Sequence, residues 1–97
     1  MDSLLRQVKQ YLRVTWSDDD EMLKGMILRG QSRLNAIAGR TLSYETEGLA
    51  KSLLFDYVRY ANSHALEVFE QNFERELLAL HMDNQESEET ENEDTDP

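Results

Sequence analysis

Acidic side chains are the residues in this chain whose spacing could support metal chemistry. Glu67 and Glu70 form an ExxE pair, which places two carboxylates one helical turn apart, where they could share a magnesium ion. Such a site needs a second acidic pair on another helix, and the sequence offers none at a suitable spacing. We therefore interpret Glu67 and Glu70 as the solvated side of an amphipathic helix.

A second acidic run, SDDDE at residues 17–21, could also suggest a metal. A calcium loop would alternate its acids and add a glycine and a distal glutamate, which are absent here. A helix start explains the run better, because Ser17 or Asp18 can cap the helix and the other acids suit its positive end. Trp16 precedes this start, where we expect it to pack as a hydrophobic staple, with contact to a partner as the alternative.

Apart from these acidic residues, the sequence contains few side chains that could act in catalysis or bind a cofactor. His64 lies within an apolar stripe and is expected to be partly buried, and His81 is expected at a helix end. There is no cysteine, which excludes disulfides and thiolate catalysis, and neither an HExxH motif nor a Gly-rich phosphate loop occurs. We predict that the protein is not an enzyme and binds no cofactor or metal.

The elements that carry these residues are helical by pattern. Apolar residues recur at three- and four-residue steps over residues 3–13, 18–38 and 47–80, with Ser3 and Thr46 as expected caps. On the second helix Gly30 lies on the apolar stripe and should let another helix approach closely, whereas Met22 and Met26 are interpreted as core residues. Gly39 is the expected left-handed end of that helix.

The third stretch organises the chain, and Leu53 and Tyr57 are expected to supply its core. A straight helix over residues 47–80 would be about 50 Å long, which is longer than a small domain is wide. We therefore expect a bend at Asn62 and Ser63, two poor helix formers. The predicted fold is all-α, a small bundle of three to four helices with a long central helix.

Charge divides the chain into two parts. The net charge is −10, and the stretch from Asp83 to Pro97 carries eight acidic residues and no basic one. Residues 1–82 therefore hold 12 acidic and 10 basic residues. We predict a helical domain over residues 1–82 and a disordered acidic tail over residues 83–97. No apolar run approaches the ~20 residues of a membrane span, and no signal peptide is recognisable.

Large apolar residues near the end of the long helix predict a contact surface. They either pack on the common core or project beyond the two short first helices, and we expect the second arrangement. Opposite charges could join neighbouring copies, with three arginines on one side and Glu67, Glu70 and Glu74 on the other. The expected contact residues are Phe69, Phe73, Leu77, Leu78, Leu80, Arg29, Arg33 and Arg40.

The order of several motifs resembles a known family. The motifs are VKxYLRV at residues 8–14, the acidic start of the second helix, its closing GR, and DYVRYANSHALEVFEQNF at residues 56–73. Together they cover about residues 4–80, and they resemble the head–tail connector (adaptor) proteins of long-tailed bacteriophages. The acidic tail and the connection at residues 41–46 have no counterpart in that resemblance.

The resemblance implies a structural subunit that forms a ring, usually dodecameric, beneath the portal of the capsid. Such a ring extends the DNA channel without binding DNA specifically and offers a platform for stopper or tail proteins. The implied partners are the portal protein, copies of itself and the next connector protein, at the head–tail interface of the virion after assembly in the host cytoplasm. The resemblance leaves open whether the free subunit is monomeric. The alternative is a monomeric regulatory module whose acidic surface binds a basic protein.

Overall fold

The structure, a computed structural model, describes the backbone of residues 1–95 and the side chains of residues 1–84. In that part of the chain it contains five α-helices and no strand, which confirms the all-α prediction. The expected count of three to four helices was too low. The helices are α1 (Asp2–Leu12), α2 (Asp20–Ala38), α3 (Leu49–Asn62), α4 (Leu66–Asn72) and α5 (Glu74–Thr95).

Two breaks divide the stretch that the sequence pattern presents as one long helix. The predicted break at Asn62 and Ser63 is confirmed, because α3 ends at Asn62 and His64 then adopts a left-handed conformation with φ of 57°. The second break, at Phe73, was not predicted. There the backbone turns only briefly, since the Leu77 amide still donates to the Phe73 carbonyl at 2.9 Å. The predicted long central helix is therefore divided into α3, α4 and α5.

The pair formed by α2 and α3 is the most extensive helix contact in the fold. Gly30 explains how close they lie, because a Cβ atom added there would stand 2.8 Å from both the Leu54 and the Tyr57 side chains. Only a residue without a Cβ fits without moving its neighbours, which confirms the close approach expected at Gly30. Leu53 and Tyr57 are buried, as predicted.

After the break that follows α3, the end of the chain packs back onto this pair. Phe69 on α4 and Leu77 and Leu80 on α5 are buried in the common core. The expectation that these residues project beyond the first helices is wrong, since it assumed a straight helix. The buried apolar residues are Leu5, Val8, Leu23, Met26, Ile27, Leu34, Ala38, Tyr44, Leu53, Leu54, Tyr57, Val58, Ala61, Phe69, Leu77 and Leu80.

The predicted C-terminal end of α2 is correct, whereas the predicted N-terminal caps of α1, α2 and α3 are not. Gly39 ends α2 with φ of 77°, as predicted. The predicted caps are wrong, because α1, α2 and α3 begin after Met1, Asp19 and Gly48, and within the described residues none of these helices has a side-chain cap hydrogen bond. Packing therefore stabilises these helices more than capping does.

The predicted acidic tail lies largely outside the described side chains. The backbone of α5 continues to Thr95, whereas the side chains of residues 85–97 are not among those that the structure describes. Disorder of residues 83–97 and the boundary at residue 82 remain predictions.

The Asn35 side chain links α2 to the connection that leads into α3. Asn35 Oδ1 accepts a hydrogen bond from the Tyr44 hydroxyl at 2.7 Å and another from the Leu42 amide at 3.1 Å. The Asn35 carbonyl also accepts from the Gly39 and Arg40 amides, at 2.8 and 3.2 Å. Asn35 thus ties the end of α2 to the segment that leads into α3.

Replacing Asn35 with Ala should lower the free energy of unfolding by about 1–3 kcal/mol, because two donors in a partly buried region lose their acceptor. Urea unfolding followed by circular dichroism measures this change. Ser32→Ala, at an exposed position of the same helix, is the control and should stay within about 0.5 kcal/mol of the parent protein. Equal stability of the two variants would show that the connection does not depend on Asn35.

Tyr44 makes stability depend on alkaline pH. Burial raises the pKa of its hydroxyl to about 12, above the ordinary value of about 10. The folded chain therefore keeps a proton that the unfolded chain releases, so this stabilisation is complete below pH 10 and is lost as the pH rises towards 12. We expect the unfolding midpoint in urea to fall across that interval. Tyr44→Phe, which cannot ionise at this position, should show a smaller fall, and an equal fall would contradict this assignment.

Candidate functional site

The charged residues proposed to join neighbouring copies do not all remain available. Arg33 on α2 pairs with Glu70 on α4 of the same chain, with Nε 2.7 Å from Oε2 and Nη2 2.8 Å from Oε1. The hydrogen bonds from Arg33 lower the pKa of Glu70, and those to Glu70 raise the pKa of Arg33. Both side chains are about half exposed, so the pair adds at most about 1 kcal/mol. It orients α4 against α2, and the expected contact of Arg33 and Glu70 with another subunit stays a prediction.

Arg29 and Arg40 remain exposed, as expected for contact residues. Neither makes an ion pair with another residue in the part of the chain that the structure describes. The Arg29 guanidinium lies back along α2, because a Cβ atom added at Gly25 would stand 3.2 Å from its Nη1. These two arginines can therefore pair with an acidic partner without breaking a described contact.

The predicted apolar contact residues divide in a similar way. Phe69, Leu77 and Leu80 belong to the core, and Phe73 is partly buried against it. Leu78 is the one that remains exposed, with 55% of its surface accessible. Met82, one turn further along α5, is 48% exposed and was not predicted as a contact residue. We call Leu78 and Met82 the α5 edge.

A second exposed apolar surface lies on α2, and the sequence pattern did not identify it. Met22 is 47% exposed, which corrects its interpretation as a core residue, and Leu28 is 55% exposed. Neither of them, nor Arg29, is among the buried residues of α2. The signal was present in the sequence, since Leu28 falls outside the apolar stripe of α2. We call Met22, Leu28 and Arg29 the α2 outer face.

Two of the four acidic residues at the start of α2 pair with lysines of the same chain. Asp20 Oδ1 lies 2.8 Å from Lys9 Nζ, and Glu21 lies 3.5 Å from Lys24 Nζ. Trp16 is 52% exposed, and its indole N–H donates to Asp19 Oδ2 at 3.0 Å. It does not pack as the predicted hydrophobic staple, because this hydrogen bond holds the indole at the surface.

Neither histidine sits as the sequence pattern suggested. His64 is exposed at the left-handed residue between α3 and α4, so its expected burial is wrong. His81 is not at a helix end, because α5 continues to Thr95. Its Nδ1 lies 2.8 Å from the Ile37 carbonyl, and since a carbonyl only accepts, this nitrogen carries the proton. His81 thereby fixes α5 against the end of α2.

The potential metal ligands stay apart. Glu70 of the ExxE pair is held by Arg33, as described above, and Glu67 is exposed. Among the described residues, no group of three or more His, Cys, Asp or Glu side chains could hold a metal ion. A search of the same residues also finds no helix with the length and apolar character needed to cross a membrane.

Comparison of the chain with protein-family models, curated proteins and solved structures finds no match. The candidate site is therefore defined by the two exposed surfaces alone. One, the α2 outer face, combines apolar side chains with Arg29, which has no ion pair among the residues whose side chains the structure describes. The other, the α5 edge, is apolar and is followed in the sequence by acidic residues. These surfaces lie on different helices of one chain.

Proposed function

We propose that this chain is a structural subunit of a phage head–tail connector. In this proposal copies of the chain form a ring, dodecameric in the virion, beneath the portal protein. The ring extends the DNA channel and provides a platform for a stopper or tail-completion protein. The observation that carries the proposal is the pair of separate exposed apolar surfaces, the α2 outer face and the α5 edge, on a chain of 97 residues.

Two different surfaces suit a ring subunit because each member of a ring has a neighbour on either side. A closed ring uses heterologous contacts, in which one surface of a copy meets another surface of the next. Exposed apolar groups such as Leu28 and Leu78 are typical of protein contacts when they stand beside charged residues. The sequence resemblance described above supports the same assignment.

Charge supports a channel that lets DNA pass. Proteins bind DNA phosphates mainly through lysine and arginine. Half of the ten basic residues, Lys9, Lys24, Arg33, Lys51 and Arg59, already pair with acids of the same chain, and the net charge is −10. Such a surface repels phosphates more than it holds them, so we expect no specific DNA binding.

Sedimentation velocity tests the proposal against the alternative of a monomeric regulatory module. The protein is run alone at rising concentration and then mixed with the portal protein encoded by the same genome. We expect a mass increase of many subunits on each portal ring. A protein that stays at the mass of one chain in both conditions would contradict the connector role and favour the regulatory module.

A further inference from the structure

We infer that the last helices of this chain can leave their own core and pack onto a second copy, so that two chains exchange identical segments and form a dimer. We call residues 66–84, which hold α4 and the described part of α5, the arm, and residues 1–62 the body. In the exchanged dimer each arm makes with its partner's body the contacts that it makes here with its own α2 and α3. The inference goes beyond the proposed ring and does not rest on it.

The surface that would receive a second copy's arm is described within one chain. Phe69, Leu77 and Leu80 of the arm are buried in the core that the body supplies. Three polar contacts also join the arm to the body: Glu70 with Arg33, Asn72 with the Tyr60 hydroxyl, and His81 with the Ile37 carbonyl. Because every one of these contacts links the arm to the body, the body of a second copy offers the same set.

The connection between body and arm is three residues long, from Ser63 to Ala65. His64 in its middle is exposed and adopts the left-handed conformation, with φ of 57°. The Ala65 amide donates to the Tyr60 carbonyl at 2.9 Å, and the His64 amide donates to the Ala61 carbonyl at 3.1 Å. This pattern ends a helix at a left-handed residue that is usually glycine, and histidine adopts that conformation less readily than glycine does. Short connections under strain favour exchange between copies.

The sequence around this connection also suits a continuous helix. Residues 49–95 contain no glycine and no proline, and apolar residues recur at helical spacing on both sides of His64. If His64 adopts the right-handed conformation, α3 and α4 become one helix and the arm points away from its own body. An open single chain would expose Phe69, Leu77 and Leu80 to water. The open form is therefore stable only when the body of a second copy receives the arm.

Substitution of His64 tests this hinge. His64→Ala favours the continuous helix, because alanine is the best helix former, whereas His64→Gly favours the left-handed turn. Sedimentation velocity at rising concentration, with circular dichroism to confirm folding, measures dimer formation. We expect the association constant of His64→Ala to exceed that of His64→Gly on the order of a hundredfold, since each dimer holds two hinges, with the parent protein between them. Equal association of the two variants would overturn the inference.

Exchanged charges distinguish this dimer from one in which two closed chains only touch. In Arg33→Glu alone, or in Glu70→Arg alone, like charges face each other in the closed chain and also in a dimer of that variant. When the two variants are mixed, exchange of arms places opposite charges together at both positions. We expect the mixture to form dimers on the order of tenfold more readily than either variant by itself.

Arg29→Glu mixed with Glu67→Arg is the matched control, since it makes the same changes of charge on α2 and α4 at exposed residues outside the Arg33–Glu70 pair. This control should gain nothing on mixing. A gain as large as that of the Arg33 and Glu70 variants, or no gain in their mixture, would show that the arms are not exchanged. Portal is absent from every one of these measurements, so their result is independent of the connector role.

Discussion

Replacing Phe69 with Ala is expected to lower the free energy of unfolding by about 3–5 kcal/mol. Phe69 is 1% exposed, and its ring lies between three other aromatic rings. The ring centroids are 5.5 Å from Tyr57, 5.7 Å from Tyr60 and 5.1 Å from Phe73. Such pairs add stability beyond the area that they bury, so the variant loses both.

The position of Phe69 makes the effect large. The α4 helix spans Leu66–Asn72, and a helix this short is unstable in water without tertiary contacts. Phe69 is its buried residue, and the Arg33–Glu70 pair that also holds α4 is half exposed. Without the Phe69 ring, α4 should separate from the core and expose the start of α5.

Chemical unfolding of Phe69→Ala and of Val68→Ala measures this prediction. Val68 is the preceding residue of the same helix and is 37% exposed, so its replacement should cost less than about 1 kcal/mol. A loss of similar size in both variants would show that α4 does not insert Phe69 into the core.

The second large effect is expected at Leu77, whose neighbour Leu78 provides the control. Leu77 is 7% exposed, whereas Leu78 is 55% exposed on the other side of α5. Leu77→Ala should cost about 2–5 kcal/mol, because it leaves a cavity between α5 and the rest of the core. Leu78→Ala should change stability little and should weaken assembly, since its side chain belongs to the α5 edge.

Thermal unfolding measures the stability of the two variants, and co-sedimentation with portal measures their assembly. If α5 packs as described, Leu77→Ala unfolds at a lower temperature than the parent protein. Leu78→Ala unfolds at the same temperature as the parent protein but binds less to the portal. The reverse result, with a stable Leu77→Ala that fails to assemble, would mean that α5 leaves the core and presents Leu77 to a partner.

The local features of this fold were largely readable from the sequence. The helical stripe of α2, its end at Gly39, the close approach at Gly30 and the break at Asn62 all follow from residue type and spacing. Each depends on backbone preferences or on the absence of a side chain. Such preferences act over a few residues, so a single sequence contains them.

The direction of the last helices could not be predicted in the same way. Phe73 interrupts the helix although phenylalanine is not a helix breaker, and no proline or glycine stands near it. The burial of Phe69, Leu77 and Leu80 in one core is a gain that appears only when the whole core is assembled. The predicted helix caps were wrong for a related reason, since packing determined where the helices begin.

In the candidate site too, some features could be predicted from local sequence and others depend on tertiary packing. Exposure of Arg29, Arg40 and Leu78 agrees with the sequence analysis, because Arg29 and Leu78 lie away from the apolar stripes of their helices and Arg40 lies beyond the end of α2. The engagement of Arg33 by Glu70 depends on where α4 lies, and spacing along the chain does not contain that information. The α2 outer face appears only when Met22 is seen to lie outside the core.

Electron microscopy of the protein bound to the portal ring tests the central claim most directly. We expect a closed ring of many copies under the portal, with a continuous channel along its axis. Single copies attached to the portal, or portal rings that remain bare at saturating protein concentration, would contradict it.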